Sequence, residues 1–182
     1  QQLQNQAYEY LNIHTEAELI SNLRHQLENL NDIQFSNDEW QRFYTTVLAK
    51  QSDGIVEKTR LIQEDNVQTF TFDNGKTQNL KIFDKKNVHN NFLQVLNQYT
   101  PEGGARENRY DVTILVNGLP LVHVELKRRG VPIRQAFNQI SRYQRESFWS
   151  GTGLFEYVQI FVISNGTQTK YYSNTTRFSH VK

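Results

Sequence analysis

The hydrophobic and polar positions in the first half of the chain predict two amphipathic helices and a β-hairpin. A capping box begins each helix, at residues 15–18 and at residues 36–39. Helical spacing then relates Leu19, Ile20, Leu23, Leu27 and Leu30 in the first helix, and Trp40, Phe43 and Val47 in the second. Two β-rich runs, 67–72 and 80–83, flank Asn74-Gly75, which is typical of a hairpin. A strand is predicted at 92–99, while the pattern of residues 51–66 is ambiguous.

The second half has the pattern of a hairpin, a helix and a buried strand. Residues 109–116 and 121–127 flank Asn117-Gly118 and predict the hairpin. Pro132 suits the first turn of the next helix, which residues 151–153 break. Its apolar stripe contains Ile133, Ala136, Phe137, Ile140 and Tyr143. Residues 157–163 are almost continuously apolar, which predicts a strand covered on both faces, and a last strand starts at 170–172.

Together these elements predict an α/β domain with a mixed central sheet and helices on both faces. A length of 182 residues suits one domain with a substantial core. We expect residues 1–100 to form an N-terminal elaboration of helices and a β-hairpin. Residues 101–176, which open with a Pro-Glu-Gly-Gly loop, would supply the second hairpin, the helix and the core strand.

The composition excludes several classes of protein. A hydrophobic fraction of 37% with 12% aromatic residues is too rich for a disordered chain. No apolar run approaches the roughly 18 residues of a membrane span, and the first residues lack a signal-peptide pattern. The absence of cysteine excludes disulfides, thiolate zinc sites and cysteine nucleophiles, and it fits a reducing cytoplasm.

Charge is distributed unevenly, although the formal net charge is only +1. Eight basic residues lie between positions 106 and 145: Arg106, Arg109, Lys127, Arg128, Arg129, Arg134, Arg142 and Arg145. Only three acids accompany them, Glu107, Asp111 and Glu125. Such a patch either holds a phosphate backbone or is a solvated face, and the position of two acids within it calls for an explanation.

Asp111, Glu125 and Lys127 are the candidate catalytic residues. Glu125 and Lys127 point to the same side of a strand because they are two residues apart. Two carboxylates one strand apart suit Mg²⁺, with the Leu126 carbonyl as a third protein ligand. The ion would activate water and polarise a phosphate, while Lys127 would orient that water and stabilise the transition state. A structural ion-pair cluster would show the same spacing and is the alternative.

The connection at Asn117-Gly118 decides whether Asp111 can reach Glu125. In a strict two-residue hairpin Asp111 lies opposite Val124, on the wrong face. A three-residue loop or one bulge reverses this parity and brings Asp111 to the face of Glu125. Pro120 cannot donate a ladder hydrogen bond, which favours an irregular connection. We therefore predict an odd loop or a bulge.

The helix after this hairpin carries a second candidate pair. Gln139 and Tyr143 are four residues apart and share one helix face. Gln139 can hydrogen-bond a phosphate or a base, and Tyr143 can stack or donate a hydrogen bond. The alternative is structural, with Tyr143 in the core stripe and Gln139 on the surface.

Residues 108–127, 135–143 and 161–166 resemble the nuclease domain of type I restriction enzyme R subunits, and the resemblance extends to 53–60 and 82–87. That family has a PD-(D/E)xK nuclease core of the RecB-like type; Tyr110 stands here at the position of its proline. The resemblance implies that Asp111 and Glu125 bind Mg²⁺, which Mn²⁺ can replace, and that Lys127 is catalytic. Gln139 and Tyr143 match a Gln-x-x-x-Tyr motif associated with DNA engagement and with the coupling of cleavage to translocation.

The resemblance also implies partners. These are double-stranded DNA, which we expect Arg128, Arg129 and Arg142 to contact, and methyltransferase (M) and specificity (S) subunits. An ATP-driven, helicase-like motor is expected downstream of Lys182, in agreement with the absence of a phosphate-loop motif here. Cleavage without sequence preference would occur when the translocating complex stalls, in the cytoplasm of a bacterium or archaeon. Such nucleases often place another acid on their first helix, and Glu9 or Glu18 are the candidates to replace it.

Two other functions remain open. One is a catalytically silent module with a nuclease fold that docks the motor or grips DNA. The other is a stand-alone RecB-like nuclease, which a reading frame continuing into motor motifs would exclude.

Overall fold

The computed structural model describes residues 8–100, 109–146 and 153–175, with the side chains of residues 145 and 146 excepted. The first half forms β1 (Glu9–Leu11), α1 (Glu16–Asn31), α2 (Asn37–Phe43) with a following π-helical turn (Tyr44–Leu48), α3 (Ile55–Gln63), β2 (Val67–Thr71), β3 (Thr77–Lys81), a 3₁₀ turn (Val88–Asn90) and β4 (Leu93–Tyr99). The second half forms β5 (Tyr110–Val116), β6 (Leu119–Leu126), α4 (Ile133–Glu146), a 3₁₀ turn (Leu154–Tyr157), β7 (Ile160–Ser164) and β8 (Thr169–Ser173).

Six strands make one mixed sheet in the order β1-β4-β5-β6-β7-β8. β1 is parallel to β4 and β6 is parallel to β7, whereas the other neighbours are antiparallel. β2 and β3 form a separate hairpin. The predicted fold class, a mixed central sheet flanked by helices, is confirmed. The expectation of helices on both faces is not met among the described residues, where α1 and α4 lie on the same face of the sheet. β1 and β4 come from the predicted N-terminal elaboration but belong to the same sheet as the second hairpin.

Both predicted capping boxes are present. The Thr15 hydroxyl accepts from the Glu18 amide and the Glu18 carboxylate accepts from the Thr15 amide, and Ser36 and Glu39 repeat this exchange. These bonds satisfy amides that the first helical turn leaves without partners. The ambiguous segment 51–66 contains α3, whose first turn Glu57 caps by accepting from the Gly54 amide.

The prediction for residues 157–163 is wrong in two respects. The strand β7 begins only at Ile160, because Tyr157 ends a 3₁₀ turn and its hydroxyl donates to the Leu48 carbonyl, away from the sheet. It is also not covered on both faces in the described structure: Phe161 and Ile163 are buried, whereas Ile160 is 43% exposed. The predicted loop at 101–104 and most of the predicted helix break at 151–153 lie outside the described residues.

The main core lies between one face of the sheet and the helices. From α1, Asn22 hydrogen-bonds the buried Gln94 of β4. From α4, the Tyr143 ring packs on His123 of β6, and Phe137 packs on Tyr172 of β8. Because Gln94 and His123 lie on the same face of the sheet by register, α1 and α4 cover that face. Glu125 lies on the same face, so the candidate site is at the edge of this core and its side chains pack against it.

Candidate active site

A β-bulge in β6 changes which residues of β5 and β6 lie opposite each other. Val116 pairs with Leu119 and Leu115 with Pro120, as in a two-residue hairpin. The register then shifts, and Ile114 pairs with Val122, leaving Leu121 as the extra residue. The prediction of an irregular connection is confirmed in its bulge form. Extending the shifted register past the pair Val112–Val124 places Asp111 opposite Glu125.

Asp111 is fixed by the backbone of the neighbouring strand. Its Oδ2 accepts a hydrogen bond of 2.8 Å from the Leu126 amide. Burial raises the pKa of the Asp111 carboxyl, the Leu126 amide lowers it, and the nearby Glu125 carboxylate raises it again. The net shift is upward, so the site favours either a proton on Asp111 or a cation beside it.

Glu125 is fully buried. Its Oε1 accepts a hydrogen bond of 2.8 Å from Lys127 Nζ. Its Oε2 has no hydrogen-bond partner among the described residues, and the nearest ring nitrogen, His123 Nε2, is 3.6 Å away. A buried carboxylate oxygen without a donor is costly unless a ligand satisfies it.

Lys127 connects the strand to α4. Its Nζ also donates to Gln139 Oε1, and the Gln139 amide donates to the Tyr143 hydroxyl. That hydroxyl donates in turn to the Arg109 carbonyl at 2.9 Å. Gln139 and Tyr143, four residues apart on α4, therefore lie in the same hydrogen-bond network as Glu125. The purely structural alternative holds in part, since Tyr143 is also a buried core residue.

A cleft of about 710 Å³ opens beside this network. It is lined by Leu126, Lys127, Arg128, Val131, Gln135, Asn138, Gln139 and Arg142. Two of the three arginines predicted to contact DNA, Arg128 and Arg142, line the cleft, and Arg142 also stacks over the Tyr143 ring. Arg129 is exposed but does not line the cleft.

Neither candidate for the additional acid joins this network. The Glu9 carboxylate, at the edge strand β1, accepts from Gln94 Nε2 at 2.8 Å. The Glu18 carboxylate is held by the amides of His14 and Thr15, which lower its pKa. The structure uses both acids elsewhere, in β1 and in the cap of α1.

Two contributors to the site were not predicted from the sequence. Tyr110, the residue before Asp111, packs its ring against His123 and Tyr143. The Arg109 main-chain carbonyl anchors the Tyr143 hydroxyl. No residue pattern marks either role, because both depend on how α4 lies over the sheet.

The donor set fits a hard divalent cation. Asp111 and Glu125 have carboxylate oxygens of the kind that such a cation binds, and Glu125 Oε2 lacks another partner among the described residues. Those residues hold no group of three or more His, Cys, Asp or Glu side chains placed for a metal ion. A cation here would therefore need main-chain, water or substrate oxygens as further ligands.

The mixed sheet with flanking helices is consistent with a nuclease-like α/β core. Residues 1–180 match the family described as "Type I restriction enzyme R protein N terminus". The chain therefore belongs to this family of R-subunit N-terminal domains.

Named relatives support the same assignment. The chain is 54% identical over 178 residues, 97% of its length, to a type I restriction enzyme endonuclease subunit of Escherichia coli, of which it covers 56%. It is 38% identical over 179 residues, 96% of its length, to such a subunit of Staphylococcus saprophyticus, of which it covers 18%. A putative archaeal subunit from Methanocaldococcus jannaschii is 32% identical over 106 residues, which is 56% of this chain and 10% of that protein. The chain thus spans only part of these relatives.

No helix in the described residues is long and apolar enough to cross a membrane.

Proposed function

We propose that this domain is the Mg²⁺-dependent DNA-cutting part of a type I restriction enzyme R subunit. The observation that carries the proposal is that the Leu126 amide binds Asp111 Oδ2 while Lys127 binds the adjacent Glu125 carboxylate, in a hairpin whose register shifts at Leu121. Membership of the R-protein family, with relatives named endonuclease subunits, supports the same conclusion.

Each residue has a distinct task in this proposal. Asp111 and Glu125 would hold the cation, together with the Leu126 carbonyl; Mn²⁺ would bind in the same way. When bound, Mg²⁺ supplies Lewis-acid stabilisation of a phosphate and a more acidic water. Lys127 orients the attacking water and neutralises charge that develops on the phosphate.

Gln139 and Tyr143 would hold Lys127 in place. Gln139 accepts from the ammonium group and donates to Tyr143, which is itself anchored on the Arg109 carbonyl. The chain of bonds restricts the rotamers of Lys127, a side chain with much conformational freedom. A contact between DNA and α4 would therefore be transmitted to the catalytic lysine.

The cleft beside the site suits a nucleic-acid backbone. Arg128 and Arg142 supply positive charge, and Gln135 and Asn138 supply amides. Contacts from such groups to phosphates position a duplex but carry little sequence information. This supports double-stranded DNA as the substrate and cleavage without sequence preference.

The complete enzyme is proposed to be larger. The relatives named endonuclease subunits are up to several times longer than this chain, which leaves room for an ATP-driven, helicase-like motor. We propose that the R subunit acts with M and S subunits and cuts when the translocating complex stalls. Residues 1–182 alone are expected to cleave DNA poorly or not at all.

Metal binding tests the proposed site without requiring the complex. Titration calorimetry with Mn²⁺ should give one binding event for residues 1–182 and none for Glu125→Ala. Glu64→Ala, which removes an exposed carboxylate from the end of α3, is the control and should bind as the wild type does. Absence of binding to the wild type, or undiminished binding to Glu125→Ala, would contradict the proposal.

Cleavage itself is tested in the assembled enzyme. An R subunit carrying Lys127→Ala, mixed with M and S subunits, should still hydrolyse ATP on DNA containing a recognition site but should leave the DNA intact. Undiminished cleavage would favour the silent-module alternative.

A further inference from the structure

In the part of the chain that the structure describes, the sheet has a second face, opposite the candidate site, that is apolar and not covered by other elements. One row of paired residues crosses all six strands: Tyr10, Val95, Ile114, Val122, Ile160 and Ser173. The next row crosses five strands: Asn97, Val112, Val124, Val162 and Tyr171. We call these two rows the open face. Its centre is aliphatic, with polar residues only at the ends of the rows.

The open face is not part of the core. Among the described residues, none of its members belongs to the main hydrophobic cluster or to the partly buried residues packed against it. Tyr171 is 80% exposed and Tyr10 46% exposed, and the valines of β5, β6 and β7 are only partly buried, whereas Val95 of β4 is buried. The helices α1 and α4 lie on the other side.

Such a surface indicates a missing layer. A sheet with one solvated face alternates apolar and polar residues, whereas these strands are apolar toward both faces, as in sheets covered on both sides. Neither row contains a charged residue. The open face therefore offers nothing to a phosphate backbone, and the expected partner presents an apolar surface.

The dimensions favour helices over a second copy of the domain. Five strand spacings of about 4.8 Å make the face roughly 24 Å wide, room for two helices of about 10 Å diameter. Each of its eleven positions occupies about 4.8 Å by 7 Å of the sheet, so its area is roughly 400 Å², about half of what each partner buries in a stable protein interface. A face-to-face dimer would be weak, but a layer from the same polypeptide does not lose the freedom of a separate molecule.

We propose that two amphipathic helices, supplied by a part of the R-subunit polypeptide outside residues 1–182, pack on the open face and complete an α/β/α domain. The chain covers only 18% of one named relative, so ample polypeptide exists in such proteins to supply them. The inference rests on family membership and on the open face, and it does not depend on the proposed catalysis.

Cysteine labelling of the full-length R subunit tests this proposal. Residues 1–182 contain no cysteine, so single cysteines can be placed at will once any others in the subunit are replaced. Ile160→Cys and Tyr171→Cys report on the open face, and Val88→Cys, at a position 63% exposed in a 3₁₀ turn away from it, is the control. Rates of reaction with a maleimide would be measured without M and S subunits.

In the full-length subunit, both open-face cysteines should react at least about 100-fold more slowly than Val88→Cys, because labelling would require local opening. In residues 1–182 alone, they should react as fast as the control. Equal rates in the full-length subunit would overturn the proposal. So would protection within residues 1–182 alone, or protection that disappears on dilution, which would indicate a second copy. The measurement needs no cleavage, so a subunit that failed to bind metal would still give a clear answer.

Discussion

The Leu126 amide donates a 2.8 Å hydrogen bond to Asp111 Oδ2 and so ties the end of β6 to the start of β5 at the candidate site. The bond depends on the bulge at Leu121, since an unbroken two-residue hairpin would turn Asp111 to the other face. The one extra residue, Leu121, thus decides whether Asp111 is a surface carboxylate or a candidate metal ligand.

Asp111→Asn is expected to stabilise the metal-free chain at neutral pH. Burial raises the pKa of Asp111 in the folded state, so ionisation costs more there than in the unfolded chain. Stability therefore falls as the pH rises through the interval between the unfolded and the folded pKa. Asparagine keeps an acceptor for the Leu126 amide without the charge, and we expect a thermal midpoint higher by about 2 °C or more at pH 7.

Calorimetry without divalent cations would measure this midpoint, and the difference from wild type should vanish below the ordinary pKa of aspartate. Asp73→Asn, which changes an exposed partner of Arg42, is the control and should have little effect. A lower midpoint for Asp111→Asn at pH 7 would show that the carboxylate stabilises the fold.

Tyr143→Phe should destabilise the domain by about 1 kcal/mol, because it removes a hydroxyl that joins Gln139 to the Arg109 carbonyl. Urea unfolding followed by circular dichroism would measure the loss. Tyr171→Phe is the matched control, since that ring is 80% exposed, and it should stay within about 0.5 kcal/mol of wild type. Equal effects of the two substitutions would mean that the hydroxyl network does not contribute.

Lys58→Met should destabilise by about 3 kcal/mol or more, because it leaves Glu156 without its buried partner. Lys58, on α3, is 4% exposed and also donates to the Gly153 carbonyl. The comparison is Lys50→Met, which removes an exposed, loosely paired lysine and should have little effect. The double variant Lys58→Met/Glu156→Met should recover part of the loss, and a strictly additive double variant would contradict a coupled pair.

Gly118→Ala should prevent correct packing of α1 on the second hairpin. Gly118 has φ +82°, and an added Cβ would lie 2.5 Å from the Leu23 Cα, which cannot move without shifting the helix. Gly75→Ala is the matched control, with φ +81° but nothing within 4 Å of its Cβ. Unfolding in urea should show a loss of about 1 kcal/mol for Gly75→Ala from backbone strain alone and a clearly larger loss for Gly118→Ala. Equal losses would mean that the hairpin and α1 do not touch.

The sequence predicted the elements that local rules specify. The capping boxes at Thr15 and Ser36 and the turn at Asn117-Gly118 were predictable, because each depends on residues a few positions apart. Strand parity even required an irregular connection if Asp111 and Glu125 were to share a site. Residues 157–159 were wrongly predicted to belong to a strand, since the hydroxyl of Tyr157 binds Leu48 far along the chain.

By itself, then, the sequence determined the candidate residues Asp111, Glu125 and Lys127. It also determined that the connection between their strands must be irregular if Asp111 and Glu125 are to share one face of the sheet. Only the tertiary structure decided that the connection contains a bulge at Leu121 and that Gln139 binds Lys127 and is itself bound to Tyr143. It also decided that, among the described residues, one face of the sheet stays open. The physical reason is that spacing along the chain fixes which way a side chain points within its own element. Which groups it then touches depends on how helices and strands distant in sequence pack together.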